Sequence, residues 1–310
     1  MDKFKQLAKI REIYAKGDNI IKYLKSLDQN QQNTIEDILI SYDFQSGSYI
    51  KSYAKNLGFR GKYCTSLARV IDNLGRFDSI MEVGVGEATT LGNLMGKMKS
   101  VPQKVMGFDI SWSRLKFARN FLSDLGREDV SLFTANLFEI PLEDSSVDVV
   151  YTSHSIEPNG GREEDALREL FRITGKYLVL LEPSYELADE ESRRRMEEYG
   201  YITKLHSTAQ KLGFKIVEHR LFDHSAKPLN PTGLIIIEKS SSSTNQPDLR
   251  CPITRTDLIK HSDGLMYSKD SFLAYPVVEG IPCLLKENSI LATHLLTDYQ
   301  EFKNENGISF

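Results

Sequence analysis

Residues 79–86 read Ser-Ile-Met-Glu-Val-Gly-Val-Gly, a short apolar run that ends in an acid and two glycines. The run predicts a buried strand and a turn in which the missing Cβ atoms let the backbone approach a ligand closely. The next helix is predicted to begin near Ala88, so its free amide groups face the same crevice. Two glycines alone are weak evidence, because a turn that merely packs a helix onto a strand also selects glycine.

Short apolar runs alternate with amphipathic stretches from Ser79 onward, a pattern typical of a parallel sheet covered by helices on both faces. The predicted strands lie near 79–83, 104–109, 130–134, 147–152, 176–182, 214–222 and 232–238. The predicted helices lie near 88–98, 112–125, 162–173, 189–197 and 201–212. Only residues 223–231 separate the last two strands, too few for a covering helix, so that pair is predicted to be antiparallel.

The second predicted strand also ends in an acid, Asp109, whose carboxylate can accept both hydroxyl hydrogens of a ribose. Such an acid would also suit NAD. A dinucleotide-binding turn, however, needs a third glycine, and this chain has Thr89 at that position. The pattern therefore favours an adenosyl cofactor without a pyrophosphate, and a nicotinamide-dependent oxidoreductase is the weaker alternative.

The third predicted strand is followed by Ala135-Asn-Leu-Phe-Glu-Ile-Pro-Leu-Glu-Asp-Ser-Ser-Val-Asp148. With this segment and the motifs above, residues 75 to about 240 resemble class I S-adenosylmethionine-dependent methyltransferases. The resemblance implies an α/β fold with a Rossmann-like seven-stranded sheet and helices on both faces. It also implies S-adenosylmethionine as cofactor and S-adenosylhomocysteine as product. The implied cofactor-binding residues are Glu82 and Gly84 at the methionine moiety, Gly86 at the ribose side, Asp109 and Ile110 at ribose and adenine, Asn136 and Leu137 at adenine, and Ser153. Family members usually have Asp where this chain has Asn136, which weakens that single assignment.

A polar loop, residues 153–161, follows the fourth strand and must open at the same edge of the sheet as the cofactor loops. His154 could act as a general base, since an imidazole titrates near neutrality, or it could simply pack beside the cofactor. Glu157 and Asn159 could orient a polar substrate.

The fifth strand ends in Glu182 and Tyr185, which are predicted to border the same pocket. Glu182 is a further catalytic candidate, and its alternative role is a structural hydrogen bond to the loop amides. Tyr185 is a candidate substrate contact or a packing residue. Methyl transfer can be accelerated by positioning and desolvation, so activity does not require a base.

Residues 1–75 carry apolar residues at helical spacing and are predicted to form a helical lid or extension. The segment 41–49 is polar and aromatic and is predicted to lie between helices. Tyr42, Gln45 and Tyr49 are its candidate residues for covering the cofactor or holding substrate; the alternative is an ordinary connecting loop.

A serine-rich stretch, residues 240–249, is predicted to be a flexible linker between the methyltransferase region (76–239) and a small β module (250–290), with a tail at 291–310. The module begins Cys251-Pro-Ile-Thr254 and resembles zinc-ribbon-like activators of tRNA and release-factor methyltransferases. Those ribbons bind zinc through two Cys-x-x-Cys pairs, and Thr254 stands where one cysteine is needed, so we predict no metal. The module could cover an edge, close the site or support a homodimer.

The chain has 310 residues, of which 40% are hydrophobic and 26% charged, and a net charge of −4. This balance predicts a globular protein and counts against a nucleic-acid partner, since the surface as a whole does not attract phosphates. No apolar run suits a membrane span or a signal peptide, and three scattered cysteines favour reduced thiols over a Cys251–Cys283 pair. We therefore expect a cytoplasmic enzyme.

The sequence favours a methyltransferase acting on a small polar acceptor, such as a sugar or other metabolite. Methylation of RNA or protein is the enzymatic alternative, suggested by the activator-like module. A catalytically silent S-adenosylmethionine-binding partner subunit is the alternative from another class.

Overall fold

The computed structural model describes residues 2–28, 32–239, 246–261 and 264–309. In the described part of the chain, a 3₁₀ helix (Lys3–Gln6) and five α-helices precede the first strand: α1 (Leu7–Ala15), α2 (Ile20–Asp28), α3 (Ile35–Phe44), α4 (Ser48–Lys55) and α5 (Leu57–Asp72). A capping box starts α3, in which the Thr34 and Asp37 side chains each accept from the other's backbone amide. Buried Lys3 joins these helices through ion pairs to Asp28 (2.6 Å) and Asp37 (2.7 Å).

A seven-stranded sheet follows in the order β3-β2-β1-β4-β5-β7-β6. Its strands are β1 (Ser79–Val83), β2 (Lys104–Asp109), β3 (Ser131–Thr134), β4 (Val147–Ser153), β5 (Thr174–Pro183), β6 (Lys215–Leu221) and β7 (Thr232–Glu238). The strands β1 to β5 pair in parallel, whereas β7 lies antiparallel between β5 and β6. The predicted antiparallel return is thus confirmed, and the carboxyl ends of the parallel strands share one edge.

Five helices connect these strands: α6 (Thr89–Met95), α7 (Trp112–Asp124), α8 (Glu163–Ile173), α9 (Glu190–Glu198) and α10 (Leu205–Lys211). Successive side chains of a strand point to opposite faces, so Ile80 packs with α5, α6 and α7 while Met81 packs with α8 and α10. The sheet therefore separates two apolar cores, which confirms the predicted α/β class. The predicted helix near 201–212 begins at Leu205, and the Ile202 and Thr203 amides donate to the Glu157 carbonyl and to the Glu163 carboxylate.

A second, smaller antiparallel sheet lies in the carboxyl-terminal part: β8 (Ile259–His261), β9 (Leu265–Ser268), β10 (Leu273–Val278), β11 (Ile281–Pro282) and β12 (Ile290–Leu291), followed by α11 (Tyr299–Glu305). It lies against β3, the edge strand of the large sheet, where Leu284 N donates to Thr134 O (3.2 Å). Glu279 forms ion pairs with Lys116 and Arg119 of α7. The small sheet therefore covers an edge that would otherwise expose unpaired backbone groups.

Residues 240–245, most of the predicted linker, lie outside the described residues. The segment 41–49 differs from the prediction, because 41–44 form the last turn of α3 and Ser48 begins α4, so only a three-residue turn separates the helices. Among the described residues, no helix combines the length and apolarity needed to cross a bilayer.

Candidate functional site

A cavity of about 660 Å³ opens where the carboxyl ends of β1, β2 and β4 meet α3, α4 and α5. Its volume is within the range of small-molecule pockets. The predicted site residues that line it are Tyr42, Tyr49, Glu82, Gly84, Gly86, Asp109, Ile110, Asn136, Leu137, Ser153, His154, Glu157 and Asn159. Gln45, Glu182 and Tyr185 do not line it.

The turn after β1 approaches the cavity with its backbone, as the sequence predicts. Gly84 has φ of +63°, and a Cβ at that position would lie 2.4 Å from the Ser155 Cβ. Only glycine therefore fits there, both for its backbone angle and for the space left by the loop after β4.

Glu82 lies at the base of this turn and is almost fully buried. Burial raises the pKa of Glu82 to about 8, against the opposing effects of the Tyr151 hydroxyl, which donates to its carboxylate (2.8 Å), and of the Arg60 guanidinium. The carboxyl is therefore poised to lose a proton when a cation arrives beside it.

Asp109 ends β2 on the opposite side of the same turn. Its carboxylate accepts from the amides of Gly86 and Ser111, each at 2.9 Å. Burial raises the pKa of this carboxyl, and Arg114 is the strongest opposing influence. Because the amides fix its orientation, Asp109 is held rigidly at the cavity wall.

Asn136 and Leu137 form the wall beyond Asp109, beside Phe108 and Phe138. The Asn136 side-chain oxygen accepts from the Phe138 amide (3.1 Å), which fixes the local turn. The wall is therefore an apolar slot with a polar amide at its rim, which suits the flat face and polar edge of a purine.

Arg114 is a functional candidate that sequence reasoning missed. It is 3% exposed, its Nε donates to the Tyr42 carbonyl (2.9 Å), and its guanidinium lies between the Tyr42 ring (4.7 Å) and the Tyr49 ring (4.6 Å). Its buried Nη2 has no hydrogen-bond partner among the described residues. An arginine five residues after Asp109 on a helix reads as a solvated side chain, so only the tertiary contact with α3 and α4 identifies it.

Glu87 was missed for the same reason. Its carboxylate accepts from the backbone amides of Gly47 (2.9 Å) and Ile50 (2.8 Å), at the start of α4. The negative charge stabilises this helix amino terminus and fastens α4 to the glycine turn. Gln45 instead donates to Ser41 of its own helix, away from the cavity.

His154 begins the loop after β4 with φ of +57°. Its Nδ1 lies 2.8 Å from the Glu157 carboxylate and its Nε2 lies 2.8 Å from the Thr232 hydroxyl. Burial lowers the pKa of His154, but the hydrogen bond and charge of Glu157 outweigh it, so the net shift is upward; the pKa of Glu157 is correspondingly lowered, against its burial. Both ring nitrogens are engaged in this arrangement.

Glu182 accepts hydrogen bonds from the backbone of the loop after β4. Its buried carboxylate accepts from the amides of Ser155 (3.0 Å), Ile156 (3.2 Å) and Glu157 (3.1 Å). This is the structural role that the sequence left open for it. Tyr185 points away, since its hydroxyl donates to Glu197 of α9.

Other polar side chains complete the cavity. The Ser153 hydroxyl pairs with the Tyr63 hydroxyl (2.9 Å), and the Asn159 amide donates to the Ile156 carbonyl (3.2 Å). The described residues contain no group of three or more His, Cys, Asp or Glu that could hold a metal ion. Cys64, Cys251 and Cys283 are buried and unpaired.

Residues 80–176, which run from β1 into β5, match a protein-family model described as a methyltransferase domain. Among solved structures, the chain is similar to magnesium protoporphyrin IX methyltransferase from Synechocystis with bound S-adenosylhomocysteine (14% identity, 65% of this chain and 99% of that chain covered, TM-score 0.49). It is also similar to an S-adenosylmethionine-dependent methyltransferase from Aquifex aeolicus (18% identity, 55% and 87% covered, TM-score 0.42). A third similar chain belongs to a Haloferax volcanii complex of a methyltransferase activator and a methyltransferase (15% identity, 61% and 95% covered, TM-score 0.47). No curated protein matches the chain.

Proposed function

We propose that this methyltransferase, whose domain uses S-adenosylmethionine, transfers the methyl group to a small polar acceptor such as a sugar or other metabolite. One observation carries the proposal: a single cavity joins the glycine turn and Asp109 to the polar loop that holds His154 and Glu157. A donor and an acceptor can therefore meet in one space closed over by α3 and α4.

The residues present fit the cofactor group by group. Glu82 would take the ammonium of the methionine moiety, and Asp109 would accept from the ribose hydroxyls. The apolar slot formed by Phe108, Leu137 and Phe138 would hold the adenine, with Asn136 at its rim. The unpartnered Nη2 of Arg114 is a buried donor on the same wall, which a ligand oxygen would satisfy.

When bound, S-adenosylmethionine would supply an electrophilic methyl carbon: an acceptor lone pair would form the new bond in line as the carbon–sulfur bond breaks, S-adenosylhomocysteine would leave with the bonding pair, and the acceptor proton would pass to solvent. Glu157 is the group that we place nearest to the acceptor, where it can orient a hydroxyl or amine. We assign His154 as a positioning residue, because Glu157 and Thr232 occupy both of its nitrogens and its raised pKa leaves less of the neutral imidazole available to accept a proton. We assign Glu182 the support of the loop amides.

Titration calorimetry with S-adenosylmethionine, S-adenosylhomocysteine and NAD tests the cofactor site. Asp109→Ala is expected to weaken binding of the two adenosyl compounds by about tenfold or more, because charge-assisted hydrogen bonds to ribose are lost. Asp124→Ala, which removes an exposed acid from the far end of α7, is the matched control and should bind normally. Tight NAD binding, or no binding of any of the three, would overturn the proposal.

The raised pKa of Glu82 predicts proton release on binding. The carboxyl is mostly protonated at pH 7 in the free protein, since its pKa is about 8, and a neighbouring ammonium should ionise it. The calorimetric heat of S-adenosylhomocysteine binding should therefore depend on the ionisation heat of the buffer, and Glu82→Gln should remove that dependence. Equal heats in all buffers for the unmodified protein would contradict the prediction.

The same shift has a consequence for stability. The folded-state pKa of Glu82 lies above the value of 4.5 for an exposed glutamate, so its contribution to stability is complete at low pH and is lost as pH rises through about 8. The melting temperature of the free protein should fall as pH rises from about 5 to 8, the interval between the unfolded and folded pKa values, and Glu82→Gln should show a smaller fall.

A further inference from the structure

The carboxylates of the cavity are already engaged within the protein. Each of them is hydrogen-bonded to another part of the chain. They are Glu82, Glu87, Asp109 and Glu157. These hydrogen bonds fix the direction of the carboxylates, and the Glu82 carboxyl, with its pKa of about 8, carries little negative charge at neutral pH in the free protein.

The cations of the cavity are not so engaged. Arg60 of α5 and Lys227 of the loop between β6 and β7 both line it, and neither side chain has a hydrogen bond or ion pair to another described residue. Arg60 is close enough to lower the pKa of both Glu82 and His154, so its charge reaches the cofactor side and the acceptor side of the cavity. The part of the chain that the structure describes therefore leaves positive charge free at this site.

Aromatic packing fixes the two cation-bearing segments next to each other. Tyr63 of α5 contacts the Phe222 ring (5.1 Å between centroids), and Phe59 contacts the His224 ring (6.4 Å). The same loop contributes Asn230, which is 6% exposed and lines the cavity. Its Nδ2 donates to Glu157 (3.4 Å), and its buried Oδ1 has no partner among the described residues. An unpartnered buried acceptor is costly unless a ligand hydroxyl or amine donates to it.

The cofactor cannot neutralise this charge alone. S-adenosylmethionine carries one carboxylate against an ammonium and a sulfonium, so it satisfies at most one of the free cations and adds positive charge of its own. Arg114, with its free Nη2, is a further cation on the opposite wall.

We propose that the methyl acceptor itself is an anion, whose carboxylate or phosphate group is bound by Arg60 and Lys227 while a hydroxyl or amine donates to Asn230 Oδ1. This inference rests on the proposed function, since it names the class of acceptor for the same cavity. The acceptor is thus a small acid or phosphorylated metabolite rather than a neutral sugar, because its anionic group pairs with Arg60 and Lys227.

The test uses the full chain saturated with S-adenosylhomocysteine. Ribose 5-phosphate and glucuronate are titrated against it by calorimetry, beside their neutral counterparts ribose and glucose, and the four are offered with S-adenosylmethionine as acceptors. The anionic probes should bind at least about tenfold more tightly than the neutral ones, as expected for charge-assisted hydrogen bonds. Preference for the phosphate or for the carboxylate probe distinguishes the two anion types, and either supports the inference.

Arg60→Ala and Lys227→Ala should each remove most of this preference, whereas Lys62→Ala, on the exposed side of α5, should retain it. Lys62→Ala should also bind S-adenosylhomocysteine as the unmodified protein does. The inference is overturned if the protein saturated with S-adenosylhomocysteine shows no preference for the anionic probes. It is also overturned if that preference survives both Arg60→Ala and Lys227→Ala. A protein that fails to bind S-adenosylhomocysteine at all overturns the proposed function instead, so the two failures are distinguishable.

Discussion

Gly84→Ala is expected to abolish measurable binding of S-adenosylhomocysteine. Alanine at φ +63° costs about 1–2 kcal/mol, and its Cβ would lie 2.4 Å from that of Ser155. Relief of this clash requires the glycine turn or the loop after β4 to move, and both form walls of the same cavity. Affinity should fall by about a hundredfold or more, because a misplaced turn disturbs Glu82 and Ser155 together.

Gly58→Ala is the control for this substitution. Gly58 lies in α5, where an added Cβ meets nothing within 4 Å and the backbone angle is ordinary. Alanine favours a helix by about 1 kcal/mol over glycine, so this variant should bind normally and melt at the same temperature or higher. Calorimetry on both variants, with circular dichroism to confirm folding, decides the matter. Normal binding by Gly84→Ala would show that the turn does not contact the cofactor.

The large sheet and its glycine turn were predictable because their signals are local. The order of elements follows from apolar runs of strand length, from the acids at the ends of the first two strands and from the short connection before β7. Parallel strands then bring their carboxyl ends together at one edge of the sheet. The positions of Glu82, Asp109 and the loop after β4 at one edge follow from that topology alone.

The roles of Arg114, Glu87 and Glu182 were less accessible, because they depend on which way a side chain points. Arg114 and Glu87 both contact the helices before β1, which are distant in sequence. Glu182 lies at the end of β5 just as Glu82 and Asp109 lie at the ends of β1 and β2, yet it faces the amides of the neighbouring loop instead of the cavity. Sequence position identifies the edge of the sheet but not the partner of each carboxylate.

Hydroxyl groups surround Cys251, the first of the two cysteines in the small β module. Cys251 Sγ lies 3.5 Å from Ser271 Oγ and 3.4 Å from the Tyr275 hydroxyl, and Ser268 Oγ accepts from the Ser271 amide. Burial raises the pKa of the thiol, but hydrogen bonds from Ser271, Thr254 and Tyr275 outweigh it and bring the pKa to about 7. Hydrogen bonds thus join Cys251, at the start of the module, to Ser271 just before β10 and to Tyr275 within it.

Leu284→Ala is expected to destabilise the whole protein by about 2–5 kcal/mol, the usual cost of a large-to-small change in a packed core. Leu284 is 0% exposed and packs in the same apolar core as Phe133 and Met106 of the large sheet, and its amide donates to Thr134 of β3. Leu291→Ala, at 72% exposure in β12 of the small sheet, should leave the melting temperature nearly unchanged. A single unfolding transition that shifts for Leu284→Ala, with S-adenosylhomocysteine raising it, would show that the module folds as part of the catalytic core. The alternative outcome is two separate transitions, of which S-adenosylhomocysteine raises only one and Leu284→Ala lowers only the other. That result would make the module an independent unit, because a ligand stabilises only the unit that binds it.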